Sequence, residues 1–409
     1  HIIMTFLSRV LVWLLCLFPT SISCFMHHHH HHHATPSIAA FTQQSYAPLS
    51  SLPIIDRRDC TILHAAKRRG GAMSRRKSQE ESNVASTTKG FDSEATSTTS
   101  TQTIPASKPN TIYSMPSLYD LAFGYRCYEE EVEFLLDAHN KYSTSEKNVP
   151  IRILELAAGP SRHSLMALSE HPPSSVESVV ALDLSQEMVN YGIENADFEL
   201  GSAGGRRDSF EYACGDMRDF TGLSFSAKKF DTAWILLGSM SHLLTNDDVI
   251  KCFSSIRSAL KPGSTVIVEL PHPRETFSMG ECTRNGWTVP LVEDEDEEYG
   301  ELNIVWGDED DEFDPIAQVR HFTVAMTLKV NNREDIPKED PLFLQMNEDG
   351  KTEVKEIVPM RLFTLQEIDA LARCAGLEMV AKYGALDEEV AMTDEDDAYR
   401  MVCILRCKE

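Results

Sequence analysis

The sequence predicts an α/β fold: a doubly wound, mostly parallel sheet of seven strands, with an antiparallel β-rich insert after the fifth. Three observations carry this. After Pro150, short apolar runs alternate with segments of helical periodicity. The runs, such as "SVVAL" and "STVIVEL", show little polar alternation, so each strand is covered on both faces, as in a parallel sheet between helix layers. Residues 271–360 then change texture, and "VRHFTVAMTLKV" and "KTEVKEIVPMRLF" suit antiparallel strands.

Taken in order, "SLYDLAFGYRCYEEEVEFLLDAHNKY" spaces Leu118, Leu121, Ala122 and Tyr125, then Val132 and Phe134–Leu136, as two helices or one bent helix. The first strand is Ile151–Leu156, with a helix from about Arg162. The second is Ser178–Leu182, with a helix starting near Ser185 and Glu187 in its first turn. Phe210–Ala213 is the third strand and "FDTAWILLG" the fourth. "NDDVIKCFSSIRSALK" is a helix with a polar start at Asn246, stopped by Pro262-Gly263, and "STVIVEL" is the fifth strand. After the insert, "TLQEIDALARCAGL" is a helix closed by Gly376. "EMVAKYGAL" and "YRMVCILRC" are the final strands. The acidic runs 293–298 and 308–314 read as solvated loops.

The chain divides accordingly: 1–25 signal-peptide-like, 26–110 transit-peptide-like and linker, 111–270 ligand-binding core with a helical cover, 271–360 acidic insert, 361–409 completion of the sheet. From Met4, Arg9 precedes the apolar run Val10–Phe18, too short to span a bilayer and typical of a signal peptide. Thr42–Lys77 is rich in Ser, Ala, Arg and Lys with only Asp56 and Asp59 acidic, a transit-peptide composition. Signal followed by transit segment resembles the bipartite presequence of algae with complex plastids, with Phe25 or Phe41 as the aromatic after cleavage. The expected location is the plastid; plain secretion is the alternative. His27–His33 reads as a low-complexity run or a tag, and "ASTTKGFDSEATSTTSTQT" as a disordered linker.

The formal charge of −25 is uneven. Residues 1–110 hold eleven Lys/Arg against six Asp/Glu, so the remainder carries about −30. Such a domain repels phosphate backbones and anionic lipids, which argues against nucleic acid and membrane partners. A small molecule, cationic or neutral, or a basic protein fits better. The ten cysteines form no paired C-x-x-C framework and read as free thiols.

Open α/β sheets bind ligands where strand order reverses, at the carboxyl ends of the strands. "LELAAGPSRHS" lies there, with one glycine, Gly159, where a dinucleotide pyrophosphate demands three. Such a loop suits a ligand without phosphate. Asp183, ending the second strand, is placed for ribose hydroxyls, and Asp216 after the third for an adenine amino group, with Met217 beside the ring.

These pieces resemble the class I S-adenosylmethionine (SAM)-dependent methyltransferases, whose sheet is Rossmann-like. "LELAAGPSRHS" resembles the family's E-x-G-x-G-x-G motif, with Ala157 and Ser161 in place of two glycines. "ALDLSQEMVNYG" resembles its acidic-loop motif, "ACGDMRDF" its adenine-side motif, and "LKPGSTVIVELPHPRE" its fifth-strand segment. "SLYDLAFGYR" ahead of the core, with a strand-rich insert, resembles the small-molecule branch that holds glycine- and aminosugar-type N-methyltransferases. The resemblance implies SAM as cofactor and methyl transfer to a small acceptor, nitrogen first and oxygen second. It implies cofactor contacts from Glu155, Ala157, Gly159, Arg162, Asp183, Leu184, Met188, Asp216, Met217, Leu236 and Gly238.

For chemistry, His242 in "GSMSHLL" is the candidate base, against the plain reading of a helix-start histidine bonded locally. His272, between prolines at the cleft rim, is a candidate to orient substrate, and Tyr119 and Tyr125 to close over cofactor or substrate. His242, His272 and His321 lack ligand spacing, so metal-independent, in-line transfer is expected. The rival readings are a nicotinamide oxidoreductase, a non-catalytic SAM-binding protein, and a protein methyltransferase drawing basic tails to its acidic runs.

Overall fold

A computed structural model describes residues 111–408 except 148, 202–204, 228, 275–284, 295–296 and 336–345. The presequence, the histidine run and the linker lie outside the described residues.

Two helices, not one bent helix, open the fold: α1 (Pro116–Phe123) and α2 (Tyr128–Tyr142). Pro116, with φ preset, starts α1. The chain then runs β1 (Ile151–Leu156), α3 (Arg162–Glu170), β2 (Val176–Asp183), α4 (Gln186–Glu199), β3 (Phe210–Cys214), β4 (Phe230–Ile235), α5 (Asn246–Ala259) and β5 (Leu260–Pro271). The insert follows as β6 (Asn285–Asp294), β7 (Glu297–Trp306), β8 (Phe313–Asp314), β9 (Val319–Val330) and β10 (Lys351–Arg361). Helix α6 (Leu365–Cys374), β11 (Leu377–Tyr383) and β12 (Arg400–Cys407) complete the chain.

The seven-stranded sheet has the order β11-β12-β5-β4-β1-β2-β3. Only β12 opposes its neighbours. Alternate residues of β1 feed two cores. Leu154 and Leu156 pack with Phe253 and Ile256 of α5. Ile153 packs with Leu135 of α2 and Leu165 of α3. Both faces are covered, hence the nearly unbroken apolar runs. The chain moves outward from β1 to β3 and returns to β4 on the other flank of β1. That reversal opens a crevice at the carboxyl ends of β1 and β4.

The insert is an antiparallel sheet of order β10-β9-β7-β6, with β8 on β9. Its inner face, including Leu302, Ile304, Val324 and Met326, packs against Leu118 and Ala122 of α1. The insert and α1 therefore bury one another over the crevice. The acidic run 293–298 is not simply a loop. β6 continues to Asp294 and β7 starts at Glu297, with the two residues in register. Alternating Val289 and Leu291, and Leu302 and Ile304, are buried and carry the hairpin through the charges. The run 308–314 is a turn, ending in β8, whose Asp311 carboxylate accepts the Thr323 N–H at 3.0 Å.

A candidate cofactor and substrate cavity

The turn after β1 contains three left-handed residues: Ala157 (φ 52°), Gly159 (φ 53°) and Ser161 (φ 63°). Two lack glycine's freedom, so neighbouring bonds must hold them there. Asp183 Oδ2 accepts the Gly159 N–H at 2.8 Å, and the Tyr212 hydroxyl donates to the Gly159 carbonyl at 2.5 Å. The Ala158 N–H reaches the Leu182 carbonyl at 3.0 Å, and the Ser161 N–H that of Ala158 at 2.8 Å. Asp183 Oδ1 accepts the Ser185 N–H at 2.8 Å, so one carboxylate fixes the loops after both β1 and β2. Burial pushes its pKa up, opposed by these backbone donors.

A cavity of about 900 Å³ opens above this turn, walled by strand ends below and by α1 and the insert above. Of the residues expected at a site, Ala157, Gly159, Asp183, Leu184, Met188, Asp216, Met217, Gly238, His242, Tyr119 and Tyr125 line it. The Tyr119 ring comes within 3.9 Å of where a Cβ on Gly159 would stand.

Four expected residues do not line the cavity. Glu155 is buried beneath the turn, where it accepts the Ser164 N–H at 3.1 Å and the Ser164 hydroxyl. It holds the start of α3, and burial raises its pKa. Arg162 pairs with Asp120 of α1 and with Glu199 of α4 at 2.7 Å, so its charge is spent joining three helices, not meeting a cofactor carboxylate. Leu236 points into the core. His272 has both ring nitrogens occupied: Nε2 lies 3.0 Å from the Met392 carbonyl, and Nδ1 accepts the Arg274 N–H at 3.1 Å. It fastens the 390s loop to the end of β5. His272→Ala is therefore expected to lower stability by about 1–2 kcal/mol while leaving cofactor affinity unchanged. Urea unfolding alongside calorimetry checks both.

Asp216 carries Arg218 on both oxygens, at 3.0 and 2.9 Å from Nε. Burial pushes this carboxyl up, but the Arg218 hydrogen bonds outweigh it and leave the pKa below its usual range. A ligand amino group would share Asp216 with that guanidinium.

His242 ends the 3-10 turn Ser239–His242, whose start at Gly238 is left-handed. Its Nε2 lies 3.0 Å from the Tyr113 hydroxyl, and the rings meet edge-on at 5.5 Å. Solvent reaches the ring through the cavity mouth, yet protein crowds its other sides. That burial pushes its pKa down to about 4, so the ring is neutral at pH 7.

Several lining residues had no motif to announce them. Tyr113 precedes the first helix; Trp287, Trp306 and Phe322 belong to the insert; Arg400 begins β12. Leu237 (φ 56°) has its strained backbone held by an N–H bond to Glu269 Oε2 at 2.9 Å. Glu269 in turn receives Arg126 Nη1 at 3.2 Å and Nη2 at 3.1 Å, and Arg126 Nε donates to Glu131 at 2.9 Å. This buried network ties the chain just after α1 to β5 and to the end of β4. Among the described residues, no group of three or more His, Cys, Asp or Glu side chains is placed to hold a metal ion, and no helix is long and apolar enough to cross a membrane.

Residues 153–263 match the family model of a methyltransferase domain. No curated protein matches the chain. Among solved structures, a S-adenosylmethionine-dependent methyltransferase from Clostridium acetobutylicum is 17% identical, covers 72% of this chain and 97% of its own, and has a TM-score of 0.51. DesVI of Streptomyces venezuelae is 20% identical, over 72% of this chain and 98% of its own, with a TM-score of 0.50. The sugar N-methyltransferase KedS8 from Streptoalloteichus is 14% identical, over 80% of this chain and 100% of its own, also at 0.50. Residues 153–263 thus match a methyltransferase domain, and the chain shares the fold of solved SAM-dependent methyltransferases.

Proposed function

We propose that this class I methyltransferase transfers the methyl group of SAM to a small-molecule acceptor, with nitrogen as the receiving atom. The observation that carries the reading is the pairing of a left-handed Gly159 turn with Asp183, at the reversal point of the sheet. The residues present fit SAM. The Asp183 oxygens retain acceptor capacity beyond their backbone donors, which suits vicinal ribose hydroxyls. Leu184 and Met217 offer apolar surface for a purine, and the turn presents a bare backbone. When bound, SAM supplies an electrophilic methyl group on a sulfonium. The structural similarity to KedS8, a sugar N-methyltransferase, supports nitrogen over oxygen.

The protein's part is positioning and exclusion of water. Tyr119, Phe123 and Trp287 roof the cavity, with Tyr119 and Phe123 centroids 4.5 Å apart and Phe123 and Trp287 5.5 Å apart. His242 lines the cavity with its Nε2 on the Tyr113 hydroxyl, and its neutral ring does not strip a proton from an ammonium group, whose pKa is several units higher. It instead orients a neutral acceptor by hydrogen bonding, with Tyr113 fixing the ring. His242→Ala is expected to lower kcat by about 10- to 100-fold, and the wild-type pH profile to show no inflection near pH 6.5 from this ring. Initial rates across pH 5–8 for both proteins check this.

The direct test of function incubates the protein with methyl-labelled SAM and a metabolite extract, followed by mass spectrometry. A labelled small product supports the reading; label only on protein, or none, counts against it. We place the activity in a plastid, on the support of the signal-like segment followed by a basic, Ser-rich one.

A further inference from the structure

Arg400 is unlike the other charged residues of the cavity. Arg218 is committed to Asp216 and Asp248, and Asp183 to two backbone donors. Arg400 has one ion-pair partner among the described residues, Glu269, whose Oε1 lies 3.2 Å from its Nε. That contact is not a hydrogen bond, and the buried Nε has no other partner. Glu269 is already taken by three Arg126 hydrogen bonds and the Leu237 N–H. The Arg400 Nη atoms make no hydrogen bond to a described residue, although the residue lines the cavity. The Tyr399 ring lies 5.4 Å beneath the guanidinium and steadies it.

Position matters as much as charge. Arg400 pairs with Pro271 at the carboxyl end of β5. β12 stands four strands from β2 in the sheet, about 19 Å at the usual strand spacing. That is farther from Asp183 than a methionyl arm extends from its ribose. Trp287 and Trp306 line the same cavity as Arg400, and Trp287 Nε1 is already spent on the Ala122 carbonyl at 2.8 Å. An apolar body entering there displaces water from a guanidinium that Glu269 only partly neutralises. That is costly unless the body brings its own anion.

We infer that the acceptor carries an anionic group, a carboxylate or phosphate, bound by Arg400, with its apolar body in the cavity that Trp287 and Trp306 also line. The inference rests on the methyltransferase reading for the word acceptor, but the anion site stands on its own residues. It reverses the expectation from net charge: an acidic protein with a cationic pocket end selects an anion there.

The test uses the full chain saturated with S-adenosylhomocysteine, titrated with 4-aminobenzoate and its neutral isostere 4-aminobenzamide. The carboxylate should bind about tenfold tighter. Arg400→Gln should erase that preference, Arg400→Lys should keep part of it, and neither should change S-adenosylhomocysteine affinity. Equal binding of the two probes by the wild type, binding of neither at millimolar concentration, or a preference that survives Arg400→Gln would overturn the inference. So would a matching loss of S-adenosylhomocysteine affinity, which would assign Arg400 to the cofactor. A carboxylate preference without S-adenosylhomocysteine binding would instead sink the methyltransferase reading and leave the anion site standing.

Discussion

Asp183→Ala should weaken S-adenosylhomocysteine binding by about 100-fold or more, measured by calorimetry. The substitution removes more than a ribose acceptor. Its two oxygens hold the Gly159 and Ser185 N–H groups at 2.8 Å each. Without them the left-handed residues Ala157, Gly159 and Ser161 lose a restraint that offsets their strain. Hydrogen bonds to a charged group contribute about 1.5–3 kcal/mol each, so loss of two ribose contacts alone corresponds to about 100-fold or more, and a relaxed turn adds to it. Asp183→Asn separates the two effects. It keeps one acceptor oxygen but presents an NH₂ to a backbone N–H, so the turn should suffer although the size is unchanged. Affinity for Asp183→Asn close to wild type would show that Asp183 does not hold the ligand site together.

Glu269→Ala should cost about 3–5 kcal/mol of stability and abolish activity, because it strands buried positive charge. Glu269 is buried, accepts hydrogen bonds from Arg126 and the Leu237 N–H, and is ion-paired with Arg400. Its removal leaves Arg126 with Glu131 alone and frees the strained Leu237 backbone beside the cavity. The pH dependence follows. Burial acts to raise the Glu269 pKa, but Arg126 and Arg400 outweigh it and hold the pKa below the usual carboxylate value. A depressed carboxylate stabilises the fold fully above its unfolded-state pKa of about 4.3. That contribution is lost as pH falls through the lower folded value. Urea unfolding from pH 7 downward should therefore show an acid limb below about pH 4.3 that flattens in Glu269→Ala. An unchanged limb would show that this network is not what acid dissolves.

The central sheet was legible because parallel strands covered on both faces leave unbroken apolar runs. Ile151–Leu156 was located to the residue, and the run ending at Asp183 to within a few. The turn was legible from Gly159 just after an apolar run, but nothing in the sequence announced that Ala157 and Ser161 would also be left-handed. The β6–β7 hairpin was not legible. Charge in "EDEDEE" masked the alternation of Val289 with Leu291 and of Leu302 with Ile304 that pairs its strands. The fate of Arg162, His272 and Glu155 was equally hidden. A polar residue beside a binding loop has the same local signature whether it meets a ligand or a distant helix. Only the fold brings Asp120 and Glu199 to Arg162, or Met392 to His272. Arg400 lies about 240 residues from the turn and reaches the cavity because β12 runs against β5.

A crystal structure of the full chain with S-adenosylhomocysteine tests the account most directly. It should show the ribose hydroxyls on Asp183, the amino-acid arm passing Gly159, and the sulfur directed toward the His242 end of the cavity. An empty cavity at saturating ligand, or a nicotinamide dinucleotide seated with its pyrophosphate on that turn, would contradict it.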